Sequence, residues 1–164
     1  METLVLNTTR LEQKIMRIAH EIVENTFEVD QIFIAGISGN GVILAERLVD
    51  IIKTISNQQL YLFNVTIEKD APLNNSISIS IAPDKLNNST VILVDDVINS
   101  GRTMQYALMK ILESPVNSVK TVALVDRMHR RYPIKADFVG LTLSTTLKER
   151  VEVSFENDPV AYLV

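Results

Sequence analysis

Two adjacent carboxylates, Asp95 and Asp96, follow a short apolar run of the chain. Carboxylate oxygens accept hydrogen bonds from the paired hydroxyls of a ribose, and they can help to hold Mg2+ through its water ligands. Ser100, Gly101 and Thr103 come next in the chain, and they combine hydroxyl donors with a glycine that lets the main chain approach a ligand closely. This group of residues predicts a site for a phosphorylated sugar.

The acid pair and the glycine lie between a predicted strand and a predicted helix. Residues 91–94 are predicted to form a buried strand that ends at the acids, and residues 101–112 are predicted to form the helix. Ligands of open parallel sheets bind beyond the carboxyl ends of the strands, where a helix N-terminus offers unpaired amides to a phosphate. The alternative is a structural strand–turn–helix unit with a chance acid pair. The full order of apolar run, Asp-Asp and Gly-Arg-Thr is much more specific than an acid pair alone.

The remaining elements alternate between helix and strand. Thr9 and Glu12 have the spacing of a capping box, which predicts a first helix that runs to about Thr26. A second helix is predicted from apolar residues at helical spacing, namely Val42, Ala45, Leu48 and Ile52. Strands are predicted at residues 31–37, 60–67 and 119–125, and another is predicted to start at residues 137–140. The alternation predicts an α/β fold, with helices flanking a mostly parallel sheet, in a single domain of residues 1–164.

A long polar segment interrupts this alternation. Residues 68–90 are rich in Asn, Ser, Asp and Pro, which predicts a loop, and the strict alternation of residues 76–81 predicts a partly exposed strand inside it. Loops of this length in compact domains are usually functional, for example as lids over a site.

Composition excludes several classes of protein. Hydrophobic residues make up 46% of the 164 residues, which argues against disorder, and the lack of cysteine excludes disulfides and thiolate metal sites. No segment approaches the roughly 20 apolar residues that span a bilayer, and the N-terminus does not have the pattern of a signal peptide. We therefore expect a soluble cytoplasmic protein with no membrane partner. A net charge of -4 argues against nucleic-acid binding by the whole surface, but not by a local basic face.

Residues 91–103 resemble the signature of the type I phosphoribosyltransferases. Residues 17–21, 91–96 and 123–140 together resemble one branch, the bifunctional pyrimidine operon attenuators and uracil phosphoribosyltransferases, and the likeness extends from about residue 6 to residue 153. It implies the family's fold, with a small hood and a flexible loop. It also implies transfer of phosphoribosyl from phosphoribosyl pyrophosphate to a nucleobase, with uracil favoured, giving uridine monophosphate (UMP) and pyrophosphate. Mg2+ and a homodimer or higher homo-oligomer are implied as well.

The resemblance assigns roles to individual residues. Asp95 and Asp96 would bind the ribose hydroxyls and the metal. Lys69, where the loop departs from the family pattern, would supply positive charge to a developing pyrophosphate; the alternative for Lys69 is a solvated loop lysine. The loop that binds the 5'-phosphate would comprise Ile98, Asn99, Ser100, Gly101, Arg102 and Thr103. Pyrophosphate would lie at Ser38, Gly39, Asn40 and Gly41. Phe138 would stack on the base and the main chain of Val139 would bind it, with Asp126 as a further substrate-binding candidate. The alternative for Phe138 is a core aromatic residue.

The chain departs from the family where pyrophosphate is handled. The family typically has Lys-Thr-Arg-Gly in the pyrophosphate loop, so Asn40 replaces an arginine that could clamp the pyrophosphate through charge-assisted bonds. Glu68-Lys69-Asp70 stands in a shortened flexible loop where the family has Tyr-Arg-Asp-Asp, and Asn99 replaces a common aromatic residue. The alternative function is therefore a weakly active or inactive nucleotide sensor that regulates pyrimidine genes.

Such a regulator would bind an mRNA leader. On the first helix, a polar stripe at spacings of three and four comprises Arg10, Gln13, Arg17, His20 and Glu24, and further basic residues cluster at positions 127–135 and 148–150. A solvated helix face is the default interpretation. The resemblance favours RNA contacts for Arg17, His20 and His129, although Glu12 and Gln13 stand where the family tends to be basic.

Overall fold

The computed structural model of the chain describes residues 1–164. In chain order the elements are β1 (Thr3–Leu6), α1 (Thr8–Thr26), β2 (Gln31–Ile37), α2 (Asn40–Ile55), β3 (Gln59–Thr66), β4 (Ser78–Ile79), a 3-10 turn (Pro83–Leu86), β5 (Thr90–Ile98), α3 (Arg102–Ile111), β6 (Ser118–Asp126), β7 (Phe138–Thr142), β8 (Val151–Ser154) and β9 (Val160–Leu163). None of the three helices is long and apolar enough to cross a membrane.

The strands form one large sheet and one small sheet. The large sheet has the order β4-β3-β2-β5-β6-β7 and is parallel except for β4. Its central strands are apolar on both faces, as parallel strands buried between layers must be. The small sheet is antiparallel, with the order β1-β9-β8, and we call it the hood. The α/β fold with a mostly parallel sheet, predicted from the sequence, is confirmed.

Two hydrophobic cores lie on opposite faces of the large sheet. On one face α1, α2 and the hood pack against alternate residues of β2, β5 and β6. On the other face α3 packs against the intervening residues of the same strands, and β3 contributes Phe63 and Val65 to this second core. Because β2, β5 and β6 run in parallel, their carboxyl ends and the loops that follow them lie along one edge of the sheet.

The structure corrects three predicted boundaries and adds three strands that were not predicted. The N-cap of α1 is Asn7, whose Oδ1 accepts a 2.9 Å hydrogen bond from the amide of Arg10, so Thr9 lies inside the helix and the predicted capping box does not form. The predicted end of this helix, at Thr26, is confirmed. β5 does not end before the acids but continues through them, because its pairing with β6 continues as far as Ile98.

The last two corrections concern strand length and number. The strand predicted at residues 76–81 is shorter in the structure, where only the two residues of β4 are paired, with the last two residues of β3. The three hood strands, at the two ends of the chain, were not predicted from the residue pattern at all. Each has only four residues, which is too short for a clear alternation.

Candidate active site

The acid pair lies within β5, at the edge of the sheet where α2 begins. Asp95 is 3% exposed and Asp96 is 9% exposed. The amide of Asp96 donates to Asp95 Oδ1 at 3.0 Å, and the amide of Val97 donates to Asp96 Oδ1 at 2.8 Å. The first turn of α2 packs tightly here, because a Cβ on Gly41 would lie 2.8 Å from the carbonyl oxygen of Val94 and 3.1 Å from Asp95 Oδ1. Only glycine fits at position 41 without moving the strand.

Burial makes Asp95 unusually hard to ionise. Its pKa is raised from 3.8 to about 7, mainly by burial and then by the neighbouring charge of Asp96. Lys69 opposes this shift through its charge and its hydrogen bonds. Its Nζ lies 3.0 Å from Asp95 Oδ1 and 3.9 Å from Asp96 Oδ1. The ion pair between Lys69 and Asp95 therefore offsets only part of the free-energy cost of ionising Asp95 in a buried position beside Asp96.

Asn40 connects the acid pair to the hood. Its Nδ2 donates to Asp96 Oδ2 at 3.0 Å and to the carbonyl oxygen of Val153 at 2.8 Å. Asn40 is the first residue of α2, so this one amide group links three elements, namely α2, β5 and β8. The side chain is already bonded to the protein and is not a free amide facing the cleft.

The loop between β5 and α3 has the form expected of a phosphate site. Gly101 precedes α3 with a φ of 86°, and a Cβ there would lie 2.3 Å from a methyl carbon of Ile134. Both facts require glycine. The amide of Arg102 donates to Ser100 Oγ at 3.3 Å, and the remaining amides of the first helical turn offer donors and a positive dipole end to an anion.

Two arginines from the segment after β6 support this loop. Arg127 Nη1 donates to Asn99 Oδ1 at 2.8 Å, and Arg130 Nη1 donates to the carbonyl oxygen of Asn99 at 3.2 Å. Arg130 also pairs with Asp126 at 2.8 Å, and burial lowers the pKa of the Arg127 guanidinium from its ordinary value. Sequence reasoning placed these arginines only in a surface cluster. The signal that could have identified them is their position directly after a strand that neighbours the acid pair.

These parts enclose one cleft with a volume of about 550 Å3. Its walls are residues 95–104, the hood strand at residues 151–153, and three residues contributed by other elements, namely Asn40, Lys69 and Asp70. It therefore combines an acid pair, a helix N-terminus and one lysine at the carboxyl edge of a parallel sheet. Such a cleft can bind a sugar diol and a phosphate together.

A sequence profile of the family described as phosphoribosyl transferase domain matches residues 3–156. The chain belongs to the phosphoribosyltransferase family. It is 34% identical to the bifunctional protein PyrR of Brevibacillus brevis over 170 aligned positions, covering 99% of this chain and 95% of that protein. It is 35% identical to the PyrR of Streptomyces coelicolor, covering 94% and 83% of the two chains. These relatives confirm the branch that the sequence resembled.

Solved structures agree on the fold. A hypoxanthine-guanine phosphoribosyltransferase from Bacillus anthracis superposes with a TM-score of 0.77 at 18% identity, covering 98% of this chain and 97% of that one. A hypoxanthine phosphoribosyltransferase from Trypanosoma cruzi gives a TM-score of 0.76 at 15% identity, covering 97% and 95%. At these identities the likeness concerns the fold alone.

Most of the site residues predicted from the sequence line the phosphoribosyltransferase cleft. They are Asn40, Lys69, Asp95, Asp96, Ile98, Asn99, Ser100, Gly101, Arg102 and Thr103. Ser38, Gly39, Gly41 and Asp126 lie outside its walls. Ser38 instead binds the main chain of Ile67, with 3.2 Å between its Oγ and both the amide nitrogen and the carbonyl oxygen of that residue.

The two residues predicted to bind the base are placed differently. Phe138 is 5% exposed and packs in the hydrophobic core beside α1, so the alternative interpretation, a core aromatic residue, describes its position. The carbonyl oxygen of Val139 accepts a 3.1 Å hydrogen bond from Arg17. The apolar residues that line the cleft are instead Val97, Ile98, Met104, Val151 and Val153.

We expect Asp95→Asn to stabilise the phosphoribosyltransferase, and to do so more at about pH 8 than at about pH 5. The carboxyl has an ordinary pKa of 3.8 and a pKa of about 7 in the folded chain. Between these values the folded chain holds a proton that the unfolded chain has released. Stability therefore falls as pH rises through this window and is constant above it. The two pH units between pH 5 and pH 7 correspond to roughly 3 kcal/mol, so we expect the Tm gain from the substitution to be larger at pH 8 than at pH 5 by roughly 5–10 °C.

Thermal unfolding of the parent and variant at the two pH values measures this effect. Asp158→Asn, at an exposed position far along the chain, is the control for the same chemical change. A Tm difference between parent and Asp95→Asn that does not widen with pH would contradict the burial argument.

Proposed function

We propose that this phosphoribosyltransferase transfers phosphoribosyl from phosphoribosyl pyrophosphate to uracil, giving UMP and pyrophosphate, and that its turnover is slow. The observation that carries the proposal is the meeting of the acid pair and the phosphate loop in one cleft. The relatives named PyrR support a pyrimidine substrate. The cytoplasm is the expected location.

The ribose and its phosphate would bind to different parts of the cleft. Asp95 and Asp96 would accept hydrogen bonds from the two ribose hydroxyls. The 5'-phosphate would lie at the N-terminus of α3, where the hydroxyls of Ser100 and Thr103 add donors to the free amides. Both contacts are retained whether the ligand is phosphoribosyl pyrophosphate or UMP.

The residues of the cleft fit Mg2+ as part of a shared site. No group of three or more His, Cys, Asp or Glu residues is arranged to hold a metal alone, but Mg2+ is commonly bound by one or two carboxylates together with waters and substrate phosphates. Asp95 and Asp96 would supply the carboxylates. When bound, the ion would neutralise charge on the pyrophosphate.

The protein's own contribution to the reaction would be positioning and charge stabilisation. Pyrophosphate is a stable leaving group, so no covalent intermediate is needed. The hood and the loop after β3 would limit the access of water to the reacting sugar. Lys69 is the cation nearest the acid pair. Because Asn40 brings no charge and is bonded within the protein, pyrophosphate has weaker support here than the monophosphate, which accounts for the proposed slow turnover.

A panel of bases tests the proposal. Uracil, hypoxanthine and guanine are each incubated with phosphoribosyl pyrophosphate and Mg2+, and nucleotide and pyrophosphate are measured together. We expect UMP as the main product, formed slowly. Faster use of hypoxanthine or guanine would overturn the choice of base, and binding of UMP without turnover of any base would favour the sensor.

The second candidate function is nucleotide-controlled binding of an mRNA leader. Its supporting observation is the polar stripe of α1, whose members Arg10, Gln13, Arg17, His20 and Glu24 are all exposed. Two of the three predicted RNA contacts are nevertheless bonded internally. Arg17 pairs with Glu21 at 2.8 Å and donates to the carbonyl oxygen of Gly140 at 2.8 Å. His129 Nε2 lies 2.8 Å from the carbonyl oxygen of Thr145. Any RNA contact of these two side chains would have to replace those bonds.

If the stripe binds RNA, Arg10→Ala is the cleanest substitution, because the side chain of Arg10 has no hydrogen-bond partner in the chain. We expect weaker binding of a pyrimidine-operon leader and a salt dependence flatter by about one unit, since one phosphate contact is lost. Arg17→Ala should weaken binding similarly while also removing the hydrogen bonds from α1 to the carbonyl oxygens of Val139 and Gly140. Lys53→Ala, an exposed cation at the end of α2, is the control. Failure of the parent to bind leader RNA at low salt, with UMP present, would rule this function out.

A further inference from the structure

The guanidinium of Arg102 is bound to the loop that follows β3. Its Nη2 donates to the carbonyl oxygen of Lys69 at 3.0 Å and to the carbonyl oxygen of Asp70 at 2.9 Å. One charged group therefore holds two successive peptide units of the loop. The resemblance to known enzymes had placed Arg102 on the substrate phosphate, whereas here its bonds go to the protein main chain.

A second attachment fixes the start of the same loop. The hydroxyl of Ser38, just after β2, accepts from the amide of Ile67 and donates to the carbonyl oxygen of Ile67, each at 3.2 Å. The segment of residues 67–70 is thus held at both ends, by Ser38 at Ile67 and by Arg102 at Lys69 and Asp70.

The consequence concerns Lys69, which lies between the two attachments. Its Nζ contacts Asp95 Oδ1 at 3.0 Å and Asp95 Oδ2 at 3.2 Å. A lysine side chain has many rotamers, and fixing it at one place carries a large entropy cost. Holding the main chain on both sides of Lys69 leaves only the side chain to be ordered, and it brings the ammonium within reach of the acid pair.

We infer that Arg102 is a positioning residue, which closes the loop of residues 67–70 over the acid pair and so places Lys69. The inference deepens the proposed function and rests on it, because it names what places the cation of the reaction. The 5'-phosphate does not require the Arg102 guanidinium, since the α3 amides and the hydroxyls of Ser100 and Thr103 remain available at the same loop.

The first test needs no turnover. We expect endoproteinase Lys-C to cleave after Lys69 faster when the loop is released, and mass spectrometry identifies the new N-terminus at Asp70. We expect Arg102→Met and Arg102→Gln each to raise the cleavage rate at this bond on the order of tenfold, because two hydrogen bonds to a charged donor are lost. Arg131→Met, an exposed arginine whose side chain has no partner in the chain, is the matched control and should not change the rate. An unchanged rate in both Arg102 variants would overturn the inference.

The second test separates positioning from direct contact with the phosphate. Turnover and UMP affinity are measured for Lys69→Met, Arg102→Met and the double variant. We expect each single variant to lower kcat on the order of tenfold, the double variant to be no slower than Lys69→Met, and Arg102→Met to leave UMP affinity within about twofold. A tenfold loss of UMP affinity from Arg102→Met in the Lys69→Met background would show a phosphate ligand instead. If no base is turned over by the parent, the proposed function fails, while the cleavage and UMP measurements still decide the role of Arg102.

Discussion

UMP binding is expected to become much weaker when Asp95 and Asp96 are both replaced by asparagine, while the protein remains folded. Carboxylates accept charge-assisted hydrogen bonds from the ribose hydroxyls, and these bonds are roughly twice as strong as those to a neutral amide. Weakening both at once should lower affinity on the order of 100-fold, and turnover should fall at least as far. Calorimetry with UMP measures the first effect, and nucleotide formation measures the second.

Asp70→Asn is the matched control for this double variant. Asp70 lines the same cleft, but only its main-chain carbonyl is bonded, to Arg102. Its carboxylate is therefore not needed for the geometry of the site. UMP affinity that stays unchanged in the double variant, with an intact unfolding transition, would mean that the nucleotide binds elsewhere.

The second large effect is expected from Asn40→Arg. The family pattern by itself predicts a gain of turnover, because an arginine would restore a cation to the pyrophosphate loop. The structure predicts a loss on the order of tenfold instead. The Asn40 amide joins Asp96 to the carbonyl oxygen of Val153, at 3.0 Å and 2.8 Å. A guanidinium would compete with the ribose for Asp96, and its longer side chain would displace the hood strand.

Turnover and UMP affinity of Asn40→Arg are compared with those of the parent. Asn57→Arg makes the same chemical change at an exposed position between α2 and β3, so it controls for the added charge. A rise in turnover for Asn40→Arg would show that the hydrogen bond from Asn40 to Val153 of the hood is dispensable. It would also show that the lack of a cation near the pyrophosphate limits the reaction.

These expectations share one physical feature of the cleft, which is that its polar groups are already bonded to one another. Lys69 contacts Asp95, Asn40 contacts Asp96, and Arg102 holds the main chain on which Lys69 lies. A ligand with a sugar diol must therefore replace some of the hydrogen bonds that these side chains make with one another. A buried carboxyl with a pKa raised to about 7 is consistent with such a crowded site.

The sequence by itself determined the elements whose signals are local. A continuous apolar run, an acid pair and a glycine before a helical pattern lie within residues 91–112, and the structure has β5, the phosphate loop and α3 there. Helical and strand periodicity likewise predicted α1, α2, β2 and β6 to within a few residues. Burial on one face or both faces imposes these periods on neighbouring residues, so they can be seen in a single chain.

The tertiary structure alone decided which of those residues act together. Asn40 bonds to a carbonyl 113 residues away, and Arg17 bonds to one 123 residues away. Phe138, which could equally have faced a base or the core, lies in the core because α1 covers that face of β7. A hydrogen bond between distant segments leaves no periodic trace in either one. The roles of Asn40, Arg17 and Arg102 therefore depend on chain segments that only the fold brings together.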